Sequence, residues 1–490
     1  MARGDQPVEH LLRRAAFGAN VSELSAYNGQ TLATVIDSLV DYQRFPDDVD
    51  GRIGQDAYVG VVTRGGAFSP NTNIEDARQR WLFRMLHSQR PLQEKMALFW
   101  HNHFATAYSK IAGAFGAIQG AKMMALKKDE LPGPQGQIEL FRQFALGKFR
   151  DLLVEVAKDP AMVVWLDGRT NTRQRPQENF GREIMELFTF GLGNYTEQDV
   201  YAAARVFTGW NLRQGAGFTN NNDPNAFYEF VYNANQHDTA EKVFTFPVYA
   251  NGSRSIPART AAEGMQDGLD FIAALANHPQ TARRLARKLW TFFVSELRDP
   301  DEAFVNEVAD VYLRSDTEMR PVLRYILRSH WFLDRSSYFA RYAWPAEFVV
   351  RAVKEVGWAG FSIDNARTPM ANMGQTLFEP PDVSGWELGR AWMSSGSLLA
   401  RMNFASTLTA NQRFNIARSV SSSARTAPER IVDFLLGRYS PAPYDTDPYD
   451  ALVAYSRANV TAWSGSDAQL NTKAPSLARL IIASSEYQLI

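Results

Sequence analysis

Apolar residues recur at the spacing of an α-helix along most of this chain, and this recurrence limits its fold more than any other feature. Residues 76–90, for example, place Trp81, Met85 and Leu86 on one helical face before Pro91. A period of 3.6 residues is typical of amphipathic helices that bury one side. The same period is found in 92–104, 139–157, 180–191, 197–210, 261–277, 279–297, 301–314, 319–330, 345–357, 397–409, 448–458 and 474–487. We therefore predict an all-α, multi-helix globular fold.

Two stretches interrupt this period. Residues 211–258 are rich in Asn, Gly and aromatic residues and contain short alternating runs, which predict a small β-hairpin or loop insertion. Residues 410–450 predict an irregular linker. A chain of 490 residues exceeds the size at which one core stops growing. The predicted regions, separate or parts of one continuous core, are an N-terminal helical region 1–210, the insertion 211–258, a second helical region 259–409 and a linker with C-terminal helices 410–490.

Composition removes several function classes. The chain has no cysteine, which excludes thiolate metal sites, iron–sulfur clusters and a cysteine nucleophile. Its net charge is −1, whereas nucleic-acid binders are usually basic, so we predict no nucleic-acid partner. The basic cluster at 283–288 has helical spacing and is interpreted as a solvated helix face. No stretch is apolar for long enough to predict a transmembrane helix.

Four motifs stand in a fixed order along the chain. They are HLLRRAAFG at 10–18, LFWHNHF at 98–104, the block from ENFGRE at 178 to FTGW at 210, and PPDVSGW at 380–386 with LLAR at 398–401. Weaker matches are His237-Asp238 with Lys242, and the segment from His278 to Val294. Together these motifs resemble the domain-of-unknown-function 1800 family.

That resemblance implies a largely helical protein and no particular reaction. Members of the family are often exported, and they are often encoded beside the domain-of-unknown-function 1501 family, which implies a protein partner. The start of this chain, MARGDQPVEHLLRRAAFG, lacks the apolar segment of a signal peptide. We therefore leave two locations open, the cytoplasm or, for a form without its leader, the cell exterior.

The pair His101 and His103 is the first candidate for chemistry. Neutral imidazole is a common ligand of divalent metals. Residues two apart do not face each other on a helix, so both rings reach one metal only where the chain is extended. The competing interpretation is that the two histidines brace a buried helix end.

The carboxylates Glu183 and Glu186 form the second candidate. They are three residues apart and share a helix face, beside Arg182 and Asn179. Paired carboxylates suit acid–base catalysis or, with His101 and His103, the binding of a divalent metal. Arg182 and Asn179 would then contact the substrate. The alternative is a helix N-terminal turn stabilised by its acidic residues.

Two further groups are candidates. His237 and Asp238 suit a general base, or a histidine–carboxylate pair that orients a metal ligand, and Lys242 suits the binding of an anionic group. The alternative is a turn with local side-chain bonds. Asp382 and Trp386 lie in a loop that contains Pro380 and Pro381, where they suit substrate binding. A tryptophan that fills the core is the alternative there.

Two functions follow from these candidates. The first is a metal-assisted hydrolase that uses one divalent ion and acts on an envelope or extracellular polymer. The second is a non-catalytic partner of a protein of the 1501 family. A haem protein is a weaker third hypothesis, since only single histidines on apolar helices suit an axial ligand.

Overall fold

The computed structural model describes residues 6–410, 415–459 and 462–490. Over these ranges the chain forms 24 α-helices and four short strands. The helices are Pro7–Ala15 (α1), Val21–Ala26 (α2), Leu32–Val40 (α3), Ile74–His87 (α4), Pro91–His103 (α5), Tyr108–Phe115 (α6), Ala117–Ala125 (α7), Gln137–Gln143 (α8), Phe149–Lys158 (α9), Pro160–Trp165 (α10), Glu178–Glu186 (α11), Glu197–Val206 (α12), Met265–Ala276 (α13), Pro279–Leu289 (α14), Glu302–Arg314 (α15), Met319–Arg328 (α16), His330–Leu333 (α17), Pro345–Val356 (α18), Asp364–Asn372 (α19), Ser395–Ala410 (α20), Ile416–Ser419 (α21), Pro428–Tyr439 (α22), Thr446–Arg457 (α23) and Asp467–Ala483 (α24).

The strands form two small antiparallel pairs inside the predicted insertion. Trp210–Gln214 (β1) pairs with Tyr228–Tyr232 (β2), and Lys242–Val243 (β3) pairs with Ser255–Ile256 (β4). Trp210 lies opposite Tyr232 at the end of the longer pair. The prediction of an all-α fold with small β insertions is confirmed.

The predicted helix over 139–157 is divided into α8 and α9. Around Gly147 the chain turns, with the Gly147 N–H donating to the Phe144 carbonyl at 3.1 Å. A distant segment bonds to the backbone at this turn: the Met319 N–H donates to the Gly147 carbonyl at 3.0 Å. A glycine weakens a helix, and here a tertiary contact takes the place of the lost helical bonds.

The prediction of an irregular linker over 410–450 is wrong at α22. This helix begins with Pro428, a residue suited to the first helical position, and its inward face buries Ile431, Val432, Leu435 and Tyr439. Residues 411–414, at the start of the predicted linker, lie outside the described residues.

Buried apolar residues from Leu11 to Ile490 belong to one continuous core cluster. The proposed division at 210, 258 and 409 remains a prediction. None of the helices in the described ranges has the length and apolar character that crossing a membrane requires.

A buried ion cluster joins α5 to α18. Glu347 accepts two bonds from Arg341, at 2.9 and 2.7 Å, and one from the Trp344 N–H at 2.9 Å. Lys95 of α5 donates to the same carboxylate. All three charged side chains are almost completely buried. The pKa of Glu347 is held at about 2: burial alone would raise it, but the charges of Arg341 and Lys95 outweigh that effect.

Candidate functional site

A cleft of about 420 Å³ lies where the end of α5 meets α14 and the loop after residue 380. The helix α14 continues into a π turn, Trp290–Val294, which contributes two residues to the wall. Such turns are frequent at functional sites. The residues that line the cleft are Phe99, Asn102, His103, Arg287, Lys288, Thr291, Phe292, Trp344 and 384–388.

His103, the last residue of α5, has both ring nitrogens engaged. Its Nε2 lies 3.0 Å from the Phe188 carbonyl, which can only accept, so Nε2 carries the proton. Its Nδ1 therefore accepts from the Nζ of Lys288, at 3.0 Å. Burial and the charges of Lys288 and Arg284 hold the pKa of His103 well below its usual range. The ring is thus a neutral acceptor that faces an amine.

Lys288 lies on the side of α14 that faces the cleft. Burial, together with the neighbouring Arg284, lowers its pKa to about 7. Among the described residues no carboxylate forms an ion pair with it, whereas Arg283 and Arg287 of the same helix both bind the exposed Glu302. The interpretation of the whole basic cluster as a solvated face is therefore wrong for Lys288.

The loop 384–388 is held against the end of α5 by a very close approach. The Oδ1 of Asn102 accepts from the Trp386 N–H at 2.8 Å. Gly385 has a φ of +88°, and a Cβ at this position would lie 2.3 Å from that same Oδ1. The position therefore requires glycine for both its backbone angle and its lack of a side chain. The contact engages Oδ1 and leaves the Nδ2 amide group without an acceptor among the described residues.

Replacing Gly385 by alanine is expected to separate this loop from α5. The methyl group would collide with the carboxamide and backbone of Asn102, and alanine disfavours a positive φ. We expect a loss of about 2–4 kcal/mol in the free energy of unfolding, measured by urea titration. Gly389→Ala is the matched control, because its φ is also positive but no atom lies within 4 Å of the added Cβ. Equal losses in the two variants would contradict the steric explanation.

Comparison with known protein families decides the family assignment. The model of a family described as proteins of unknown function, DUF1800, matches residues 10–489. The chain belongs to the DUF1800 family. Searches of curated proteins and of solved structures each gave no match. The resemblance predicted from the ordered motifs is thereby confirmed, and the DUF1800 description assigns no reaction.

Within the second DUF1800 motif, His101 and His103 face different surroundings. Both lie on α5, and a helix turns by about 200° over two residues. The Nε2 of His101 accepts from the Phe378 N–H at 3.1 Å, and its ring packs against Trp81 and Trp386. Burial lowers the pKa of His101 to about 3. The structure therefore does not supply the extended chain on which the two-histidine metal site depends.

The acidic DUF1800 motif on α11 lies near the cleft but does not line it. Burial and the nearby Glu186 raise the pKa of Glu183, while Glu186 accepts from the Tyr195 hydroxyl. Arg182 pairs with Glu178 and Glu197, and the Asn179 amide donates to Asp167 at 2.9 Å. The motif reaches the cleft through its following turn, where Phe188 accepts from His103.

His237 and Lys242 lie in a second, fully buried cluster centred on Asp267 of α13. The Nε2 of His237 lies 3.2 Å from the Asp267 carboxylate, and Lys242 Nζ lies 2.5 Å from it. Asp238 instead binds Arg205 through two bonds, of 2.8 and 3.1 Å. These contacts tie the β insertion to the helices, and none of these residues lines the cleft.

The loop candidates differ from each other. Trp386 lines the cleft, whereas Asp382 binds the backbone and hydroxyl of Ser384 and so shapes the turn. In the described part of the chain, no group of three or more His, Asp or Glu side chains is placed to hold a metal ion. The metal site remains a prediction.

Asn102 and Lys288 are the site residues that the sequence analysis did not single out. Both lie in family-like motifs, next to His103 and within the segment from His278 to Val294. Their place within these motifs is the feature of the sequence that could have identified them. Neither residue type by itself indicates a site.

Proposed function

We propose that the protein is a hydrolase whose reaction takes place in this cleft. The observation that carries the proposal is the pair formed by Lys288 Nζ and His103 Nδ1, 3.0 Å apart in the wall of the cleft. An amine that lacks a carboxylate partner and is packed against a neutral imidazole is suited to exchanging protons near pH 7. The lowered pKa of Lys288 supports this role.

The chemistry assigned to each group follows from its contacts. The neutral Lys288 amine takes a proton from an attacking water, and His103 Nδ1 holds the resulting ammonium by accepting one of its hydrogens. The ammonium then passes a proton to the leaving atom. The Nδ2 amide of Asn102, whose Oδ1 is fixed by the Trp386 N–H, donates to the oxygen that gains charge.

The test is a hydrolysis assay on the full-length protein. We expect turnover of chromogenic esters that persists in EDTA, because the proposed base is an amine of the chain. Parallel assays with chromogenic glycosides and phosphates define the bond that is cleaved. The proposal is contradicted if the wild-type protein turns over none of these substrates faster than a Lys288→Met variant does.

A divalent metal held by His101, His103, Glu183 and Glu186 is a separate proposal for the same reaction. Its support is that His103 lines the cleft. A metal bound to Nδ1 of this ring would displace the Lys288 amine. Elemental mass spectrometry distinguishes the two forms of catalysis. One metal per chain that is lost in a His101→Ala/His103→Ala variant, with activity lost in EDTA, would support the metal-assisted form. An envelope or extracellular polymer as substrate rests on the export habit of the family and remains a prediction.

An apolar strip on α20 favours a second candidate, a partner role with a protein of the 1501 family. Leu398, Leu399 and Met402 are 38%, 58% and 50% exposed on neighbouring positions of this helix. Exposed apolar patches often mark protein contacts. Co-purification with a 1501-family protein from the same genome, lost in a Leu399→Asp/Met402→Asp variant, would support this role; equal retention by that variant would count against it.

A further inference from the structure

We infer that the substrate of this cleft is a carboxylic ester or amide with an apolar acyl part, and that the cleft retains the released carboxylate. This inference rests on the proposed hydrolase function and adds the class of bond. It is drawn from the polar groups of the cleft wall, from the shortage of acidic groups there, and from the aromatic side chains between them.

The polar groups that line the cleft are mainly donors. Within the described ranges Lys288 has one hydrogen bond, to His103, which leaves two of its ammonium hydrogens for a ligand. The Nδ2 of Asn102 has no acceptor among the described residues. A ligand that satisfies these groups must present several acceptor oxygens.

The charge of the wall favours a monovalent anion. Among the described lining residues Glu387 is the only acid, and it is exposed at the rim. The paired carboxylates of a typical glycosidase are therefore not present in this wall. Arg287 is bound to Glu302, a carboxylate that it shares with Arg283, whereas Lys288 has no carboxylate partner among the described residues. A carboxylate of the ligand matches the single charge of the Lys288 ammonium.

The walls between these groups are apolar. Phe99, Phe292 and Trp386 are each less than 7% exposed and line the same cleft, with Leu388 at its edge. As lining residues they give the cleft apolar walls, which suit the hydrocarbon part of a ligand. A volume of about 420 Å³ accommodates an acyl group of this kind.

The hydrolytic step places the carboxylate beside Lys288. Water adds its oxygen to the acyl carbon while Lys288 takes a proton from that water. The bond from the acyl carbon to the leaving oxygen or nitrogen breaks, and the leaving atom takes the proton from Lys288. The product acid then gives its own proton to the neutral amine. An ammonium and a carboxylate result, and they form an ion pair in the cleft.

Calorimetric titration with benzoate and with the neutral compound benzyl alcohol, which has no acyl bond to hydrolyse, tests this inference. We expect benzoate to bind at least about tenfold more tightly than benzyl alcohol. Lys288→Met should weaken the binding of benzoate by at least about tenfold. Lys288→Arg, which keeps the charge, should retain most of the affinity for benzoate. Lys158→Met is the matched control, since Lys158 lies on α9 and, within the described part of the chain, its ion pair is with Glu155.

A second variant keeps the test independent of Lys288. Asn102→Asp can still accept from the Trp386 N–H, but it loses the amide donor and adds a negative charge, so benzoate should again bind at least about tenfold more weakly. Equal binding of benzoate and benzyl alcohol, no binding of benzoate, or unchanged affinity in both variants would overturn the inference. Ester hydrolysis with no selectivity for carboxylates would leave the hydrolase proposal intact. Benzoate binding without hydrolysis would refute the hydrolase proposal instead.

Discussion

Replacing Lys288 by methionine is expected to lower the rate of hydrolysis by about 10²–10⁴-fold, the range typical of a positioned general base. Methionine keeps most of the length of the side chain and suits the aromatic surroundings, so the fold should be preserved. The measurement is the initial rate on a chromogenic ester that the wild-type protein cleaves. Lys158→Met should leave the rate unchanged.

Lys288→Arg separates a base from a fixed charge. An arginine keeps the positive charge but cannot lose its proton at neutral pH, so we expect it to be nearly as inactive as the methionine variant. In the wild-type protein the rate should rise with pH and level off above about pH 7, where Lys288 becomes the neutral amine. An active arginine variant, or a rate that does not depend on pH between 5 and 8, would contradict the role of Lys288 as a base.

Removing Glu347 is expected to cause the largest loss of stability, about 3–5 kcal/mol for Glu347→Ala. The carboxylate neutralises Lys95 and Arg341, and both cations would remain buried without it. The substitution also removes the acceptor for the Trp344 N–H at the start of α18. Urea titration followed by circular dichroism measures the change in the free energy of unfolding.

Exposure and pH provide the controls for this prediction. Glu302→Ala removes an exposed carboxylate that also binds two arginines, and it should destabilise the protein far less than Glu347→Ala. The folded-state pKa of Glu347, about 2, lies below the ordinary value of 4.5. Its stabilisation is therefore complete above pH 4.5 and is lost as the pH falls toward 2. The difference between wild type and Glu347→Ala should shrink over that interval; a difference that stays constant would contradict the assignment.

The fold was largely predictable because amphipathic helices are indicated by the spacing of apolar residues along a short stretch of sequence. Helices such as α5 and α18 carry apolar residues at intervals of three and four, with proline at their first position. The exception is α22, a helix that begins with proline. The proline-rich and serine-rich composition on either side predicts a linker, although the helix itself has an apolar face. Composition describes a window of sequence, whereas burial is decided by what packs against it.

The site was predictable only in part, for a related reason. The motifs identify His103 and Trp386 as candidates, but the helical spacing of the basic cluster predicts a solvated face for Lys288. Arginine and lysine at helical spacing look alike in sequence, and the difference between Arg287 and Lys288 comes from a histidine 185 residues earlier in the chain. Likewise, the importance of Asn102 depends on a glycine in a loop far along the sequence. Such long-range pairs leave no local pattern.

The π turn at Trp290–Val294 makes this wall sensitive to changes in chain length. A π turn holds one residue more than the α-helical turn it replaces, so deleting a single residue there would restore a regular helix. Residues beyond the turn would keep nearly the same side of the helix, whereas a residue inside the turn, such as Phe292, would change its angle relative to Lys288. Phe292 would then leave the side of the cleft that it now shares with the amine. Single-residue insertions and deletions, which surface loops absorb readily, should therefore be selected against across this helix.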